Sequence, residues 1–252
     1  MSGPARRRGR VAGSSQSVSA FVRRAVIAAE MQGRQLMRRR LALAILVGLP
    51  VVLYVSMLSQ SQEQAIQFGA LGMSWSIACA ALFAVLAARE AEQRLLLCGF
   101  RAAELMVGRF LLLVCGGILL ALLAALAMTL ASDPVSEAAL LGSCLLVPPV
   151  AVSLGLAVAA VLPQDLEGTL VIIGLVGIQL TLSAGAWLNV LLPMDGPIQL
   201  AYRAGGFTAS RVRWTLVDAV VWVLILMTVA SVSWSLRVRV RRPAAAAQAE
   251  GV

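Results

Sequence analysis

Apolar residues run along this chain in stretches of about twenty, with polar and charged residues gathered between them. Neither the two-residue alternation of a half-buried strand nor a single amphipathic stripe dominates. A bilayer core about 30 Å thick needs roughly 20 apolar residues in a helix, since any other lipid-exposed backbone leaves amide groups unpaired. Six stretches qualify, at Leu41 to Ser59, Ala65 to Ala88, Leu105 to Ala131, Ala138 to Leu162, Thr169 to Leu192 and Trp214 to Leu236. The fold class expected is all-α, a polytopic membrane protein with six transmembrane helices. Pro50 in the first span and Pro148 and Pro149 in the fourth are candidate bending points or packing positions.

The first forty residues divide in two. Residues 1–16 are rich in Gly, Ser and Arg, and the composition predicts a disordered basic tail. Residues 17–40, "SVSAFVRRAVIAAEMQGRQLMRRR", draw as a helix with Val18, Phe21, Val22, Ala25, Val26, Ala29 and Leu36 on one arc and Arg23, Arg24, Arg34 and Arg38 on the other. That pattern predicts an N-terminal amphipathic interfacial helix leading into the first span, either a topology anchor or a partner contact as well. No early apolar core marks a secretory signal. Residues 41–236 form the transmembrane domain, and 237–252 a basic, disordered tail headed by "RVRVRR".

Composition narrows the chemistry. Of 252 residues, 60% are apolar and 13% charged, about half the charge of a soluble domain. The 21 basic residues are all arginine, against 12 acids, and there is no histidine. Without histidine there is no Ser-His-Asp triad and no HExxH zinc site, and without lysine no GxxxxGK[ST] phosphate loop. The chain is therefore expected not to be an enzyme and to bind no cofactor of its own. Cys79, Cys98, Cys115 and Cys144 lack CxxC spacing and read as unpaired thiols. A basic groove with interleaved aromatics is missing, so the excess charge points to anionic lipid rather than nucleic acid. The absence of Lys and His fits a GC-rich coding bias and hints at a bacterial source.

Orientation follows from the arginines. With the N-terminus in the cytoplasm, inside segments hold ten (1–40), four (89–109), none (163–168) and four (237–242), while the outside holds Arg203, Arg211 and Arg213. The positive-inside rule then places both termini in the cytoplasm of a plasma (inner) membrane protein. It also places two segments there: the bridge "AAREAEQRLLLCGFRAAELMVGRF", Ala87 to Phe110, and the turn "PQDLEG", Pro163 to Gly168. In the turn, Asp165 and Glu167 precede the fifth span, where carboxylates suit a helix N-terminus; capping and a secondary cytoplasmic contact both remain open. Asp218 is the one carboxylate near a membrane depth, within reach of Arg211 or Arg213.

The bridge combines Glu90, Glu92, Arg94, the apolar "LLLCGF" at Leu95 to Phe100, and "RAAELMVGRF" at Arg101 to Phe110. A charged connector would explain the arginines, but not an apolar turn among balanced charges. This arrangement, with an amphipathic entry helix, six spans and a longer outer segment before the sixth, resembles the permease of type-2 ABC exporters. Arg109 stands where that family often has lysine. "LTLSAGAWLNVLLPMDGP", Leu180 to Pro197, is similar to the family's "LSGxxxP…P" region through Leu182, Ser183, Gly185, Pro193 and Pro197, although Ala184 separates the serine from the glycine and the aromatic follows at Trp187.

The resemblance implies a permease subunit forming half of a translocation pore. A second copy or a homologous permease would complete that pore. A separate nucleotide-binding ATPase subunit would hold ATP and Mg and receive a coupling helix at 89–104. The coupling residues implied are Glu90, Glu92, Arg94, Leu95, Leu96, Leu97, Gly99, Phe100, Arg101 and Glu104. The alternative is a non-transporting structural or assembly subunit of a membrane complex.

Overall fold

The computed structural model describes residues 23, 26–27, 29–31, 33–34, 40–97, 102–162, 164–181, 187–207, 209 and 212–249. Among them the chain is helical and contains no strand. The helices are α1 (Arg40–Leu58), α2 (Gln62–Leu97), α3 (Ala102–Ala131), α4 (Glu137–Val161), α5 (Asp165–Thr181), α6 (Asp195–Ala204) and α7 (Thr215–Ala249), with short 3-10 turns at Trp187–Leu191 and Val212–Trp214. Among the described residues four stretches are long and apolar enough to cross a membrane: Gln62–Arg89, Ala103–Ala131, Glu137–Val161 and Val212–Leu236. These four apolar helices mark the protein as membrane-embedded, and its described residues form helices without a strand. Within α1, Val47–Leu58 is a shorter apolar helix.

The stretch expected as a fifth span, 169–192, is not one helix. α5, Asp165–Thr181, is described over 17 residues, about 25 Å of rise. The later part, Trp187–Leu191, winds as a 3-10 turn. Pro193 lacks an N–H, and Asp195 with Pro197 opens a new helix where an acid and a proline are both tolerated. α2 departs in the opposite sense, running eight residues past Arg89, because "EAEQRLLL" consists of good helix formers. α7 is helical from Thr215 to Ala249, over a stretch in which the alanines at 244–247 favour a helix and Pro243 does not.

α4 is the axis of the packing. Val147, Val150, Ala151, Leu154 and Ala159 are buried, and α2, α3, α6 and α7 lie against it. Contact with α2 is at backbone range: a Cβ added at Gly155 would fall 2.2 Å from the Ala78 carbonyl oxygen. Small residues at such a crossing let dispersion act over the whole length of two helices. Both α1 and α4 remain helical through Pro50 and through Pro148 and Pro149, and Pro148 packs on α3 at Gly117. The outer faces of α3 and α7 leave Leu119, Leu123, Leu126, Leu216, Val220 and Leu224 exposed, as suits helices solvated by lipid.

Of the expected interfacial helix, the described residues Arg23, Val26, Ile27, Ala29, Glu30, Met31, Gly33 and Arg34 are helical. Arg34 pairs with Glu30 at 2.5 Å, and Gly33 approaches Leu112 of α3. The rest of 17–40 up to residue 39, the whole of 1–16 and residues 250–252 lie outside the described residues.

Candidate functional site

The end of the bundle where α2 turns back into α3 collects the charges. The two helices form an antiparallel pair, so Glu92 and Arg109, at similar distances from the turn, come level. Arg109 Nη2 donates to Glu92 Oε1, and both residues are buried, at 2% and 4% exposure. The Arg109 guanidinium also lies 5.8 Å from the Trp234 ring centroid on α7, within cation–π range. Its Nε is buried without a hydrogen-bond partner. One turn earlier, Arg89 Nη2 donates to the Ala159 carbonyl at 3.3 Å. That carbonyl is in the last turn of α4, where helical acceptors lack N–H partners and a cation is favoured. Ser231 of α7 reaches Met106 Sδ of α3 at 3.6 Å.

Burial pushes the Glu92 carboxyl above the usual carboxylate range, and Arg109 and then Arg89 pull it back. Removing a charge from water is expensive, so such a pair contributes little net stability, while loss of one partner costs about 3 to 5 kcal/mol. The pair therefore fixes geometry more than it strengthens the fold.

The residues expected to form a coupling surface separate accordingly. Glu90, Arg94, Leu96 and Leu97 lie in the final turns of α2, and Leu95 is half-buried. Gly99, Phe100 and Arg101 lie outside the described residues. Glu92 and Glu104 are both buried, so neither is an exposed charge flanking an apolar turn: helical periodicity turns them toward the bundle. Asp165 and Glu167 are exposed in the first turn of α5, where Thr169 Oγ1 donates to the Asp165 carbonyl at 2.8 Å. The Arg109–Trp234 contact was missed from sequence, although an acid and a base at similar distances from the α2–α3 connection were a usable signal for the Glu92–Arg109 pair.

At the opposite end, α6 folds over the bundle. Ser143 Oγ donates to the Pro197 carbonyl at 2.8 Å, and Val135 N–H to the Ala204 carbonyl at 2.9 Å. Gly196 lets α6 sit on the start of α7, since a Cβ there would lie 2.7 Å from the Thr215 carbonyl oxygen. Between these helices is a cavity of about 240 Å³ lined by Val190, Asp195, Gly196, Gln199, Trp214, Thr215 and Asp218. Gln199 Nε2 donates to Asp195 Oδ1 at 3.1 Å, and Gly196 N–H donates to Asp218 Oδ2 at 3.2 Å. Asp195 and Asp218 occupy the first turns of α6 and α7, where the helix dipole offsets their charge. Asp218 was expected to face Arg211 or Arg213; Arg213 is exposed and Arg211 is outside the described residues. Burial, with Asp195 nearby, raises the Tyr202 phenol.

Among the described residues no group of three or more His, Cys, Asp or Glu could hold a metal ion. The described cysteines, Cys79, Cys115 and Cys144, are free. The chain matches no known protein-family model, and no curated protein matches it.

Proposed function

We propose that this chain is the membrane-spanning permease subunit of an ATP-driven exporter, with six spans, both termini in the cytoplasm, and a cytoplasmic bridge that couples it to a separate ATPase. One observation carries the reading. α2 leaves its apolar stretch at Arg89 and continues as the same helix to Leu97, so Leu97 stands about 12 Å along the helix axis beyond that stretch. On this reading a stiff helix end at Leu95 to Leu97, with Phe100 following in sequence, would supply apolar side chains to a partner groove, and Glu90, Arg94 and Arg101 would set its register. The arginine distribution supports a cytoplasmic location for it.

Six spans enclose little on their own, so a second copy, or a related permease, would complete the path, and ATP-driven closure would move both bridges. The core is free of charged residues between Gln64 and Ala88 in α2, from Phe110 to Ala131 in α3, and from Ala138 to Val161 in α4. That favours apolar or amphipathic cargo over ions.

The test is direct. Isolated under mild detergent from its native membrane, the chain should bring a nucleotide-binding subunit with it. Leu96→Asp should abolish cargo-stimulated ATP hydrolysis while insertion persists. A chain that inserts normally and never recovers such a subunit, or a complex whose hydrolysis is indifferent to Leu96→Asp, would favour the assembly-subunit reading instead.

A further inference from the structure

The buried charges at the bridge end have a role beyond neutralising one another. Arg109 of α3 is held on two sides, by Glu92 of α2 and by the Trp234 ring of α7. Two consecutive helices, α2 and α3, and the distant α7 thus meet at one guanidinium. The fourth, α4, is tied to the same segment of α2 through Arg89 and the Ala159 carbonyl.

We propose that Glu92, Arg109 and Trp234 form a latch that fixes the inner end of α2, and hence the Leu95–Leu97 turn, to α3 and α7. Displacement of that turn then moves three helices together, or else separates a buried pair. The inference rests on the coupling reading only for what pulls on the turn; the latch itself is a property of the chain.

Two features distinguish a latch from general packing. The first is location: over their whole apolar windows α3 and α7 are covered at only 22% and 17%, against 78% for α4, whereas at the inner end of α3 Glu104, Leu105, Met106 and Arg109 are all buried. That inner end is where α3 is held, and the charged pair lies within it. The second is incomplete satisfaction. Arg109 Nε is buried without an acceptor, so the guanidinium is secured by charge and ring contact rather than by a full set of hydrogen bonds. Such a contact holds while both charges are present and weakens sharply when either is removed.

The experiment is hydrogen exchange, read by mass spectrometry, on the full chain in lipid nanodiscs without any ATPase. Glu92→Gln keeps the side-chain shape and removes the charge. It should accelerate exchange of amides 90–97 at least about tenfold and leave 147–158 in α4 unchanged. Trp234→Leu should act in the same direction, by about two- to tenfold. In an Arg109→Met background, Glu92→Gln should have at least about tenfold less effect than in the native chain, since the two residues act as one unit. Unchanged exchange at 90–97 in Glu92→Gln overturns the latch. So does equal acceleration along α4, which would mean that the pair stabilises the whole fold, and so does additivity with Arg109→Met. Because no ATPase is present, failure here leaves the Leu96→Asp test standing, and failure of that test leaves the latch standing.

Discussion

Replacing Gly155 by alanine places one methyl group at the closest approach of α2 and α4. The added Cβ would lie 2.2 Å from the Ala78 carbonyl oxygen and 2.7 Å from the Ala81 Cβ. Ordinary contact begins near 3.4 Å, so the carbonyl must retreat by about 1.2 Å. The neighbours cannot swing aside, because one is backbone and the other a β-carbon fixed to it. The two helices must separate along a seam whose other members, Ala78, Ala81, Ala151 and Ala159, have no exposed surface. A gap of 0.5 to 1 Å forfeits a quarter to a half of each dispersion contact. Overpacking a tight core typically costs about 1 to 3 kcal/mol, and an immovable neighbour puts this site near about 3 kcal/mol. Gly116→Ala is the control, since nothing lies within 4 Å of its added Cβ and alanine improves helix propensity by up to about 1 kcal/mol. Reversible unfolding of the full chain in mixed micelles, followed by circular dichroism, should order the three proteins Gly116→Ala, native, Gly155→Ala from most to least stable. Equal stability of the two variants would refute the close crossing of α2 and α4.

Two further outcomes follow from single contacts. Tyr54 hydroxyl donates to Ser132 Oγ at 3.2 Å in a buried site between α1 and the end of α3, so Tyr54→Phe should lower stability by about 1 kcal/mol in the same unfolding measurement, and by no more than a few tenths in a Ser132→Ala background. Ser143→Ala removes the 2.8 Å hydrogen bond that ties α4 to the Pro197 carbonyl, and exchange of the α6 amides should quicken by about tenfold while α2 is unaffected.

Much of the helical layout was legible because membrane helices must be long and apolar, and their ends are punctuated by charge. The stretch expected at 138–162 is α4 at Glu137–Val161, with Ser136 accepting a hydrogen bond from Ala139 N–H as the cap. Hydropathy reads one span where the later residues wind as a 3-10 turn: it counts Leu188, Val190 and Leu191 as spanning residues but carries no information on helix type. It fell short at α2, since charge ends a span without ending a helix. The bridge was visible as a charged, apolar-centred segment, yet which of its acids turn inward depends on helical phase and on the register between α2 and α3. Glu92 and Glu104 are therefore buried against expectation, and Trp234, more than a hundred residues from Arg109, is joined to it only by folding.

The account depends most on which side of the membrane the turn after Leu97 faces. With Cys79, Cys98, Cys115 and Cys144 replaced by serine and Gly99 by cysteine, a membrane-impermeant maleimide applied to intact cells should leave the new thiol unmodified, and permeabilised cells should label it fully. Labelling from outside intact cells would place the turn away from the nucleotide-bearing compartment and contradict the proposed coupling.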